Sequence, residues 1–197
     1  MKLFGTTTSP FVRRVRVVAA ELGVAVDRVD TATEAGMAAL RGASPIAKVP
    51  VAIVDERLLY DSRVIIDWLV TTRGWRGLTP PRDPWHTQNV VNAIDSALDS
   101  VIQLFYLRRD GVAVDGTPYA ERQLARADAI FAWLAKQLAP DRRSFDGGLG
   151  VAEISLVAAL DWMDFRKTYS TERAAAVESV RAAWREHPSL AATRPHA

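Results

Sequence analysis

The run TTTSPFVRRVRV, residues 6–17, sets Thr6, Thr7, Thr8 and Ser9 directly ahead of a proline and then turns apolar and basic. Pro10 has a fixed φ suited to the first turn of a helix, so Ser9 stands at a helix head. Free backbone N–H groups and the positive end of the helix dipole favour an anion there. A hydroxyl at that place can donate a hydrogen bond to it. A thiolate is one such anion. Lowering a thiol pKa by about two units from its usual ~8.5 takes roughly 2.7 kcal/mol of preferential stabilisation. One charge-assisted hydrogen bond together with a helix terminus is of that order. The plainer alternative is that Ser9 only caps the helix.

Two further stretches carry the same double reading. Lys48-Val49-Pro50 precedes an apolar run at residues 51–54. A cis Val-Pro bond at a strand entrance leaves the Val49 N–H and C=O free for an extended peptide, whereas a trans proline would only start the strand. Asp61-Ser62 precedes a helical pattern, which the pair caps or, through its N–H groups, equips to hold a carboxylate.

The elements that must position these residues follow from periodicity. A strand-like segment at residues 1–4 leads into a helix over 11–22, with Phe11, Val15, Val18 and Leu22 on one stripe and Arg13 and Arg16 opposite. A strand over 24–31, a short irregular helix over 32–42, a hairpin and a helix from Ser62 to Val70 come next. The hairpin is expected to join Val51–Val54 to Leu58–Tyr60 through Asp-Glu-Arg. The Gly- and Pro-rich stretch 73–84 reads as a linker. Beyond it every pattern is helical: Val90 to Phe105, Leu124 to Leu138, the apolar run from Gly148 to Arg166, and an Ala-rich helix from Ala174 to Arg185 that Pro188 stops.

The chain has 197 residues, a net charge of +2 and no cysteine. A disulfide, an enzyme thiol and a cysteine metal site are therefore excluded. The arginines are scattered, which does not fit a nucleic-acid partner. Of the histidines, His86, His187 and His196 have no motif partner, so no metal is assigned. With no visible signal peptide and no apolar stretch of membrane-spanning length, a cytoplasmic protein without a membrane partner is expected.

The ordered set of SPF at the first helix, KVP ahead of the third strand and DS at the third helix resembles the glutathione S-transferase family, in its bacterial, serine-type form. TSPFVRRVRVVAAELGV, SPIAKVPVAIVDERLLYDSRVIIDWL and GVAEISLVAALDWMDFR carry the resemblance over nearly the whole chain. It implies an α/β thioredoxin-like, glutathione-binding domain at residues 1–75, a linker at 76–84 and an all-α bundle at 85–197. By the same resemblance Ser9 meets the glutathione sulfur, with Thr7 and Thr8 as neighbouring substitutes. Val49, beside a cis Pro50, pairs with the cysteinyl backbone, and Lys48 reaches the glycyl carboxylate. Asp61 takes the γ-glutamyl amino group and Ser62 its carboxylate. Asp95 and Asp99 lie one turn apart, where a carboxylate in related dimers reaches the partner's glutathione; a solvated or interface face is the alternative. Two departures stand out: Gly150-Val151-Ala152-Glu153 replaces the family's Ser/Thr-x-x-Asp box, and Ser44-Pro45 replaces its Asn-Pro.

A second substrate is expected against the helices of the second domain. Phe11, Phe105, Tyr106, Trp162 and Phe165, with Thr7, are the candidates for its pocket, and about half of such aromatics are core. Arg108 and Arg109 either favour an anionic co-substrate or complement the helix dipole. The activity implied is transfer of a glutathione thiolate to a small apolar electrophile, with glutathione as co-substrate, no prosthetic group and a homodimeric assembly. The alternative is a non-catalytic binding or protein-interaction module on the same scaffold.

Overall fold

The computed structural model describes residues 1–196. Two compact units form, residues 1–80 with 187–196 and residues 81–186.

In the first unit, β1 (Lys2–Phe4) and β2 (Asp27–Val29) lie parallel, joined by the crossover helix α1 (Pro10–Glu21). After α2 (Glu34–Ala43), β3 (Val51–Val54) pairs antiparallel with β1, and β4 (Arg57–Leu59) with β3, giving the order β2-β1-β3-β4. Helix α3 (Ser62–Arg73) follows. This small mixed sheet with its helices is the expected thioredoxin-like arrangement. Phe4, Leu40 and Val51 form one part of its core. The hairpin is tighter than expected: Val54 faces Arg57, and Asp55-Glu56 alone make the turn, with φ of 46° and 63°. Two central residues with positive φ match the twist of the flanking strands, so Arg57 belongs to the strand.

Helix α1 corrects the amphipathic reading. Val12, Val15, Val17 and Val18 are buried, but so is Arg13, at 1% exposure. The segment 187–196, with α8 (Pro188–Ala191), covers that face. Arg13 donates from Nη2 to the Leu190 carbonyl at 2.9 Å and from Nε to Thr193 Oγ1 at 3.4 Å. Pro188 thus starts a short helix.

The second unit is all-α: α4 (Pro84–Arg109), α5 (Pro118–Lys136), α6 (Val151–Arg166) and α7 (Glu178–Trp184). Every residue of α6 from Ala152 to Met163 is buried. Glycine supplies no capping side chain at Gly150, and Glu153 reaches back instead. Its Oε2 accepts the Gly150 N–H at 2.8 Å and its Oε1 the Phe145 N–H at 2.6 Å. The expected helix over 174–185 is split into a 3₁₀ stretch (Thr171–Val177) and α7. The halves are tied to different helices. Arg173 grips Asp128 of α5, while Arg181 is held by Asp161 and Asp164 of α6. One further expectation fails: α4 is, by length and composition, long and apolar enough to cross a membrane. Its Val90, Ile94, Leu98, Val101 and Leu104 are buried within the unit, as in the core helix of a bundle.

Candidate functional site

The pairing register brings the first two motifs to one edge of the sheet. Phe4 faces Val51, so the turn leaving β1 and the Val49-Pro50 entrance to β3 are neighbours. The Val49–Pro50 bond is cis, as is Tyr60–Asp61. Lys48 is exposed and Val49 half-buried.

Ser9 is the N-cap of α1, and its Oγ accepts the Val12 N–H at 3.3 Å. The capping bond uses only the oxygen of that hydroxyl. As an acceptor it caps the helix, and its own proton has no acceptor among the described residues. The neighbouring threonines differ. Thr7 spends its proton on the His196 carbonyl at 3.2 Å, and Thr8 shares a hydrogen bond with Thr6 at 3.2 Å. Of the three candidates, Ser9 is the one whose donor and whose place at a helix head coincide.

The head of α3 is built the same way. Asp61 caps it by accepting the Arg63 N–H at 2.9 Å, and the Asp61 side chain is exposed. Ser62 is buried, and its Oγ accepts from Arg14 Nε at 3.0 Å and Nη2 at 2.7 Å. These two bonds fill the acceptor capacity of the hydroxyl, so it can act toward a ligand only as a donor. A carboxylate satisfies that requirement and an ammonium does not. The Arg14 guanidinium also lies 5.0 Å from the ring centroid of the half-buried Phe11. Arg14 escaped the sequence reading. Its only local signal is the three-residue spacing from Phe11, and its partner Ser62 is remote in sequence.

Within the helical unit, Phe105 packs against Trp162 with centroids 5.5 Å apart and against Tyr106 at 5.4 Å. Trp162 is a core side chain at 5% exposure, whereas Tyr106 is 48% exposed. Arg108 is paired to Asp115 at 2.6 Å and Arg109 to Asp110 at 2.8 Å, so both are engaged locally. Phe165 carries the Arg166 guanidinium at 4.9 Å from its ring. Asp95 is half-buried and Asp99 exposed on α4. Among the described residues no group of three or more His, Asp or Glu side chains is placed to hold a metal ion.

Comparison with known proteins agrees with this fold. The glutathione S-transferase N-terminal domain matches residues 3–77 and the glutathione S-transferase C-terminal domain residues 117–192. No curated protein matches by sequence. Among solved structures, a glutathione S-transferase from Methylobacterium radiotolerans JCM 2831, in complex with glutathione sulfonate, superposes with a TM-score of 0.83 at 23% identity, over 100% of this chain and 95% of that one. A glutathione S-transferase from Methylobacillus flagellatus KT with glutathione bound gives 0.82 at 25% identity, over 99% of each chain. A glutathione transferase family member from Pseudomonas fluorescens Pf-5 with bound glutathione gives 0.79 at 25% identity, over 100% of this chain and 99% of that one. Matched in both halves by these domains, the chain belongs to the glutathione S-transferase family.

Proposed function

We propose that the protein is a glutathione transferase that binds glutathione on its first unit, holds the sulfur as a thiolate and directs it at a small electrophile. The observation that carries this reading is Ser9, which caps α1 through its oxygen and retains a proton to give. That proton, with the N–H groups of the helix head, stabilises the sulfur anion without a metal or prosthetic group. Val49 pairs with the cysteinyl backbone beside Pro50, and Lys48 meets the glycyl carboxylate. The Asp61 carboxylate takes the γ-glutamyl ammonium, and Ser62, fixed as a donor by Arg14, takes its carboxylate.

The thiolate lone pair forms the new C–S bond. A leaving group departs with its bonding pair, or a conjugated π bond accepts the pair and then a proton from water. The helical unit supplies the surface for the electrophile through Phe105 and Tyr106. The protein works as a homodimer in the cytoplasm, with Asp95 and Asp99 directed to the glutathione of the partner. The known relatives with glutathione bound support the reading. Ultraviolet absorbance of glutathione bound to the protein tests it: the thiolate should form at a lower pH than in free glutathione. Ionisation at the free value, or no binding, would overturn the reading.

A further inference from the structure

Arg166 is the last residue of α6. Its guanidinium lies over two aromatic rings, 5.2 Å from the Phe105 centroid and 4.9 Å from that of Phe165. Its Nε is buried without a hydrogen-bond partner. Among the described residues no carboxylate pairs with it, while Arg108 has Asp115 and Arg109 has Asp110. Ring faces attract a cation but do not accept an N–H in the plane of the guanidinium. A buried donor left without an acceptor is costly, and an arriving anion would relieve that cost with a charge-assisted bond. The planar fork of arginine suits a carboxylate in two-point contact. Beside it Phe105, against Tyr106 and Trp162, offers the flat apolar surface that the body of an aromatic compound needs.

We infer that Arg166 is the specificity-determining residue of the co-substrate surface, and that the electrophile it selects is an aromatic or similarly flat compound bearing a carboxylate. This deepens the transferase reading, on which it rests, and gives the expected small apolar electrophile an anionic group, recognised at Arg166 rather than at Arg108 or Arg109, which are paired locally. The anion enters beside Arg166 and its apolar body lies on Phe105. Arg166 binds the ligand and takes no part in moving electrons.

The test is a titration of the intact protein with 3,5-dinitrobenzoate and with its methyl ester, in wild type, Arg166→Gln and Arg166→Lys, by calorimetry. One charge-assisted contact corresponds to a preference for the acid over the ester of roughly 10- to 100-fold in wild type. That preference should vanish in Arg166→Gln and survive in part in Arg166→Lys, which keeps the charge but loses the fork. If Arg166→Gln does not fold, the reduced preference in Arg166→Lys carries the test. Equal affinity for acid and ester in wild type, or an undiminished preference in the variants, would overturn the inference. Glutathione titrated into the wild type reports separately: its failure to bind would overturn the transferase reading, with the acid-over-ester ratio still deciding the role of Arg166.

Discussion

Removing the Ser62 hydroxyl would take from Arg14 the acceptor that two of its buried N–H groups share. Ser62→Ala is expected to cost about 1.5–3 kcal/mol of stability, the usual range for losing a hydrogen bond to a charged group. Urea unfolding measures it, and an unchanged midpoint would contradict the assignment. An exposed serine cap would lose only the smaller capping contribution. Ser9, Pro10, Asp61 and Ser62 were legible in the sequence because capping is local and each signal lies within a few residues. Arg14 was not, because its bond to Ser62 spans 48 positions and depends on how α1 and α3 pack. The arginines at residues 108 and 109 were visible as cations, but their aspartate partners became evident only with the chain folded.

At the scale of elements, helix α6 shows how a cap can couple folding to pH. Burial is the main reason that the Glu153 carboxyl titrates above the ordinary glutamate range, opposed by the N–H groups of Phe145, Glu153 and Gly150. The folded state therefore holds this proton more tightly than the unfolded chain does. Its contribution to stability is present at low pH and is lost as pH rises through the raised value. Relative to Glu153→Gln, wild type should gain stability as pH falls from neutrality toward the ordinary glutamate range. Denaturant unfolding at a series of pH values checks the slope, and a flat or opposite difference would contradict it. The Gly-x-x-Glu frame was readable because it is four residues long. Two misreadings have the opposite origin. Periodicity reports one wet face, and α1 has hardly any, so Arg13 was placed in solvent although residues 187–196 cover it. Alanine-rich helical spacing cannot announce that Arg173 and Arg181 dock on different helices.

For the molecule as a whole, strand and helix order sufficed to read a thioredoxin-like unit followed by helices, since local patterns fix the element sequence and the βαβ rule fixes the crossover. Assembly is a different matter, because nothing periodic marks an interface. The first unit exposes Ile46, Leu58, Tyr60 and Val64, at 42%, 38%, 38% and 49%. Large side chains of this kind left in water are what a second copy would cover, which supports the proposed homodimer. Light scattering on the purified protein should give twice the mass of one chain. The double substitution Tyr60→Glu and Val64→Glu should shift it to the monomer by desolvating charge at the contact. A wild-type monomer at micromolar concentration would remove the homodimer and, with it, the role proposed for Asp95 and Asp99.

The thiol ionisation of bound glutathione, followed by ultraviolet absorbance against pH in wild type and Ser9→Ala, decides whether the Ser9 hydroxyl holds the sulfur as an anion. One charge-assisted hydrogen bond corresponds to about one to two pKa units. Loss of the Ser9 hydroxyl should therefore raise the pKa of the bound thiol by that amount, while glutathione still binds through Lys48, Val49, Asp61 and Ser62. A bound thiol that ionises at the same pH in both proteins would mean that Ser9 gives the sulfur no hydrogen bond.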